Sequence, residues 1–155
     1  MTPLFKKLNF KEHQQIVVLN APQSFQDELN AMKSAAQIVI EIEKAKTIEF
    51  VICFMTTQKE IESFISAVDK KIIGDAVIWL CYPKTSSKNY KCDFNRDTGW
   101  AILGDFGLEG VRQVAIDEDW SALRFRKVEY IRNITRRESF ALTNDAKQRT
   151  TQKGK

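Results

Sequence analysis

Two uninterrupted apolar runs constrain this chain more than anything else in it: Phe50-Val51-Ile52-Cys53-Phe54-Met55 and Ala76-Val77-Ile78-Trp79-Leu80-Cys81-Tyr82. A run that is apolar on both faces reads as a strand covered on both faces. Between the two, Thr57-Gln58-Lys59-Glu60 spells a capping box. Ile61, Phe64, Ile65, Val68 and Ile72 then recur at helical spacing. Strand, helix and strand at this connection length make a βαβ unit, right-handed by default. The fold class is therefore α/β, a mixed β-sheet flanked by helices.

The rest of the chain adds elements to that unit. Leu4, Phe5, Leu8 and Phe10 are too apolar for a free tail, so the lead-in is expected to lie against the body. Gln15 to Leu19 is a short β-branched strand that ends in Asn20-Ala21-Pro22. Ser24 is the expected cap of a helix that runs to about Lys33, with Phe25, Leu29 and Met32 on one face. Ala36 to Ile42 alternates as a half-exposed edge strand. The next strand begins about five residues later, too soon for a parallel crossover, so the two are expected to be antiparallel neighbours. Gly74 is the expected stop of the central helix. A helix from Arg96 to Phe106, capped by Asp93 or Asn95, is expected to end at Gly107. Val111 to Asp117 and Trp120 to Val128 form a C-terminal antiparallel hairpin.

Length and charge bound the rest. The 155 residues suit one domain, placed at 1–132, with a basic tail at 133–155. From Ile131 onward there are seven basic and two acidic residues, more than the whole net charge of +4, so the body is close to neutral. The last part of the tail, from Asn144, is expected to be disordered. Its charge leaves open an association with nucleic acid through phosphates. No apolar run approaches a membrane span and no secretory leader is visible, so no membrane partner is expected and the cytoplasm is the expected compartment. The three cysteines have no CxxC spacing and there is one histidine, so no metal site and no cofactor are expected. His13 is expected at the surface, and the acidic turn Asp117-Glu118-Asp119 is expected to be solvated.

In an open α/β sheet, ligands bind outside the carboxyl ends of the strands. The exits here are Asn20-Ala21-Pro22, Thr56-Thr57 and Pro83-Lys84-Thr85-Ser86-Ser87-Lys88. Two of them adjoin helix starts, which favour an anion, and the third adds lysines. Asn20, Thr56, Thr57, Lys84, Ser86, Lys88 and Trp120 are the candidate ligand-binding residues, Trp120 being most simply a core or lid residue. The expected partner is an anionic small molecule of nucleotide-like character. No GxGxxG or Walker pattern occurs, and no nucleophile–base set suggests itself.

Four stretches resemble small bacterial proteins catalogued only as a domain of unknown function: Asn20-Ala21-Pro22, Ile78 to Lys84, Arg96-Asp97-Thr98-Gly99-Trp100, and Val114 to Phe125. That resemblance spans roughly Leu8 to Val128 and implies a small cytoplasmic α/β protein with no catalytic residues to carry over. A looser resemblance is to the class I methyltransferase fold, whose second half has helix-flanked strands followed by an antiparallel hairpin. It implies a Rossmann-like sheet. The chain departs from it where that fold holds S-adenosylmethionine on a glycine-rich loop, because Leu19-Asn20-Ala21-Pro22-Gln23 has no glycine. Two functions follow as expectations. One is a non-catalytic binding module with an anion-favouring pocket near Lys84. The other is a reduced methyltransferase-like enzyme.

Overall fold

The computed structural model describes residues 1–94 and 99–131. The expectations for Asn95 to Thr98 and for the tail lie outside the described residues. The elements in chain order are α1 (Pro3–Lys7), β1 (Gln15–Leu19), α2 (Gln26–Met32), β2 (Gln37–Val39), β3 (Ile48–Phe54), α3 (Gln58–Val68), β4 (Ile72–Pro83), α4 (Ala101–Asp105), β5 (Leu108–Ala115) and β6 (Trp120–Lys127). Six strands form one sheet in the order β2-β1-β3-β4-β6-β5. The first four run parallel, and β6 runs antiparallel to both β4 and β5.

Alternation along the strands builds two cores. Val17, Val51, Cys53, Ile78 and Leu80 face Ile61, Phe64, Ile65 and Val68 of α3 and Leu103 of α4. Ile16, Val18, Phe50, Ile52, Phe54, Val77 and Trp79 face the other way, toward Phe5 and Leu8 of the lead-in and Phe25, Leu29 and Met32 of the α2 region. Each buried aliphatic or aromatic side chain contributes about 1.5–3 kcal/mol. The lead-in docks as its apolar residues required. The Trp79 indole N–H donates to the Leu8 carbonyl at 2.8 Å, across 71 residues of chain.

The start of α3 follows the sequence reading: Thr57 and Glu60 cap each other reciprocally. Elsewhere the structure corrects it. β2 and β3 are not antiparallel neighbours, because β1 lies between them and all three are parallel. The link from β2 to β3 crosses one strand with only a 3-10 turn, Ile42–Lys44, in place of a helix. Lys71 Nζ stabilises this link by donating to the carbonyls of Ile42 (3.1 Å) and Ala45 (2.7 Å). Ser24 lies inside a 3-10 turn, Gln23–Phe25, and caps nothing. Gly74 does not stop the helix. Its φ of 58° lies within β4, where the pairing with β3 shifts register between Ile48 and Phe50. The helix before Gly107 is short, and Asp93 is not its cap. His13 is half-buried, with its ring 5.6 Å from that of Phe10 and 5.2 Å from that of Phe50. Burial lowers its pKa.

Among the described residues, no helix is long and apolar enough to cross a membrane.

Candidate functional site

The chain leaves β1 toward β2 on one side of the sheet and leaves β3 toward β4 on the other. This reversal is the switch point at which open α/β sheets form a crevice. The parallel pairing of β1, β3 and β4 puts the three expected exits side by side along one rim. At a strand spacing of about 4.8 Å, the exits of β1 and β4 lie about 10 Å apart.

Asn20 is exposed at the end of β1, with a positive φ of 59°. Its Nδ2 is 3.9 Å from Cys53 Sγ on β3. Thr56 and Thr57 are half-buried at the start of α3. Glu60 Oε1 accepts from both of their amides and both of their hydroxyls, at 3.0–3.2 Å. The next amide, that of Gln58, donates to Asp93 Oδ1 at 2.8 Å. The Asp93 amide donates back to the Thr56 carbonyl at 3.1 Å. Asp93 therefore caps α3 from 35 residues away. Two carboxylates of the chain itself occupy the helix end that the sequence reading offers to an anion.

The positive charge lies on the third exit. Lys84 is half-buried, and Ser86 and Lys88 are exposed. The Lys84 amide donates to the Asp119 carbonyl at 2.7 Å. Ser87 Oγ and Asn89 Nδ2 reach the Asp119 carboxylate at 2.7 and 3.2 Å. Asp117 Oδ1 accepts from the amides of Asp119 and Trp120 at 2.8 and 2.9 Å. Two of the turn's carboxylates thus shape the hairpin and pin the lysine loop. Trp120 is core: its ring lies 5.1 Å from Phe54 and 4.8 Å from Tyr90, and its buried indole nitrogen has no hydrogen-bond partner. Among the described residues, no hydrogen bond or ion pair joins Asn20, Thr56 and Lys84 to one another along the rim.

One rim residue escaped the sequence reading. Glu41 stands two residues past the end of β2, the strand next to β1, and is exposed beside Lys44 at 3.6 Å. It stands about 20 residues past the β1 turn, where Rossmann-type folds place a carboxylate against ribose hydroxyls. That spacing was the available signal. A concavity of about 400 Å³ opens at the opposite ends of the strands. Glu12, Gln14, Gln15, Gln37, Thr47 and Glu49 line it, all of them polar.

The rim carries hydroxyl, amide, carboxylate and ammonium groups. Burial pushes the Cys53 thiol up to about 12, and burial also raises that of Cys81, so neither is a ready nucleophile. Among the described residues, no group of three or more His, Cys, Asp or Glu is arranged to hold a metal ion.

No protein-family model matches the chain, and no curated protein matches it. Solved structures do. A SAM-dependent methyltransferase from Aquifex aeolicus superposes with a TM-score of 0.55 at 11% identity, over 80% of this chain and 87% of that one. The fibrillarin pre-rRNA processing protein of Methanococcus jannaschii gives 0.50 at 12% identity, over 76% and 67%. The pyocyanin biosynthetic protein PhzM gives 0.50 at 10% identity, over 79% of this chain and about half (52%) of PhzM.

A methyltransferase-like fold implies S-adenosylmethionine, held on the turn after β1. The turn here does not fit such a cradle. Asn20 supplies the tight left-handed bend, but Ala21 packs its methyl against the core, and Pro22 has no amide to offer. At these identities the likeness is one of fold: the chain is a Rossmann-like α/β sheet, similar to that of the Aquifex aeolicus SAM-dependent methyltransferase.

Proposed function

We propose that this chain is a reduced methyltransferase-like protein that binds a nucleotide-like small molecule along the rim, without using the β1 turn as a cofactor cradle. The observation that carries the reading is the switch point itself, with the exits of β1, β3 and β4 adjacent in a methyltransferase-like sheet. Glu41 and Asn20 are the groups for ribose hydroxyls at one end. Lys84, with Lys88 and Ser86 on its loop, is the group for an anion at the other. From β2 to β4 is three strand spacings, about 14 Å, a span that a nucleotide-sized molecule bridges. The anion sits on the lysine side because Glu60 and Asp93 already hold the first amides of α3.

The test is a thermal-shift and calorimetry series on the full chain with adenosine mono- and diphosphate. Both are expected to bind saturably. Lys84→Ala should abolish the binding, and Glu41→Gln should weaken it several-fold. No binding by either nucleotide, or full binding by both variants, refutes the reading. A second reading, methyl transfer, is favoured by the fold likeness to the Aquifex aeolicus enzyme. Saturable binding of S-adenosylmethionine in the same calorimeter would select it.

A further inference from the structure

The hairpin carries a feature that the rim does not use. Arg112 on β5 and Arg124 on β6 are direct cross-strand partners. Arg126 follows two residues on and so shares their face. It is already committed: its Nε and Nη2 donate to the two oxygens of Asp75 at 3.0 and 2.6 Å. Glu109, opposite Arg126, is buried and engaged. Among the described residues, neither Arg112 nor Arg124 has an ion-pair partner.

That arrangement costs stability. Like charges directly opposite each other on a sheet repel. Arg124 is also half-buried, and burial, then Arg126, then Arg112 act to lower its pKa, opposed by Asp75. A half-buried cation faces a second cation, and Asp75, the carboxylate that acts on it, is held by a third. Guanidinium forks match phosphate oxygens two at a time. Cross-strand Cβ atoms about 5 Å apart let two forks close on one group.

We propose that Arg112 and Arg124 form a phosphate-binding clamp on the hairpin, distinct from the rim. Its ligand is the phosphate group of either a small phosphorylated molecule or a polynucleotide backbone. Arg124 pairs with Trp79, five residues before Lys84 and so about 16 Å from it along β4, and Glu41 follows β2, four strands from β6, so neither takes part in the clamp.

The experiment measures the melting temperature of the full chain with inorganic phosphate, with a nucleoside monophosphate and with a short single-stranded oligonucleotide. Wild type is expected to gain about 2 °C or more at saturation with at least one of them. Lys84→Ala should leave the gain with inorganic phosphate intact. The pair Arg112→Gln and Arg124→Gln should remove it, and each alone should at least halve it. A response to all three probes identifies the phosphate group itself as the ligand. A response to the oligonucleotide alone, falling steeply with salt, identifies the polynucleotide backbone. Should Arg124→Gln fail to fold, the exposed Arg112→Gln decides. No gain with any probe in the Lys84→Ala protein, or a gain there that survives the addition of both arginine changes, overturns the clamp.

Discussion

Replacing Asp93 tests how the rim is wired. Its Oδ1 is 2.8 Å from the Gln58 amide, in an exposed position at the start of an eleven-residue helix. Losing a side-chain acceptor at a helix start costs roughly 0.5–2 kcal/mol. Removing a negative charge from the positive end of the helix costs about 0.3–1 kcal/mol more. The contact is solvated, so the low half of each range applies, and Asp93→Ala should lose about 1–1.5 kcal/mol. Asp93→Asn keeps the acceptor and loses only the charge, so it should lose about 0.5 kcal/mol. Urea unfolding followed by circular dichroism resolves the three proteins. At this chain length, Asp93→Ala should melt about 3–5 °C lower. A second readout separates capping from a general loss of stability. Asp93→Ala frees the Gln58 amide and removes one carboxylate from the rim, so adenosine monophosphate should bind several-fold more tightly than to wild type. If Asp93→Ala matches wild type in both stability and affinity, Asp93 does not govern the start of α3, and the reasoning is wrong.

Two further outcomes follow from buried groups. Trp79→Phe leaves the buried Leu8 carbonyl without its donor and the core short of ring volume, which should cost about 2–4 kcal/mol in urea unfolding; a loss under about 1 kcal/mol would show that the lead-in is not held there. In the native protein, half-buried Cys92 alone should react with a thiol reagent, and slowly, since burial raises its pKa; Cys53 and Cys81 should react only after denaturation. The pH sign follows from the same shifts. Unfolded thiols ionise near 9.0 while Cys53 holds its proton to about 12, so above pH 9 the native state binds more protons and stability falls as pH rises, by up to about 1.4 kcal/mol per pH unit per thiol. Stability that stays flat between pH 8 and 11 would contradict the burial.

What could be read from the sequence was local. Thr57 and Glu60 are three residues apart, and the stripe from Ile61 to Val68 needs only its own helix, so α3 was legible to the residue at its start. The apolar runs of β3 and β4 named the sheet's centre because a doubly covered strand has no polar face to hide. The failures that bear on the site were of partnership. Asp93 has the right chemistry for a cap, and nothing within a turn of it says that the helix it caps begins 35 residues earlier. The β2–β3 link breaks the usual length rule because it crosses a single strand and borrows Lys71 to satisfy two of its carbonyls. At the rim, the exits themselves were legible, but the occupation of the α3 amides was not, since that needed Glu60 and Asp93 placed in space. Glu41 was legible in principle, as an acid about 20 residues past the first turn.

The position of β6 between β4 and β5 has a consequence for how the protein is made. The ribosome delivers β5 before β6, yet among the described residues β5 pairs only with β6. While residues 84 to 119 are being synthesised, the free edge of β4 has no permanent occupant. β5 is then the one strand within reach, and pairing there would put it in the position that β6 holds in the finished sheet. The burial of Trp120 opposite Pro83 is the first contact that can displace such a pairing. Arrest of translation just after β5 should therefore yield a nascent chain that chaperones hold, and release past Trp120 should let it go.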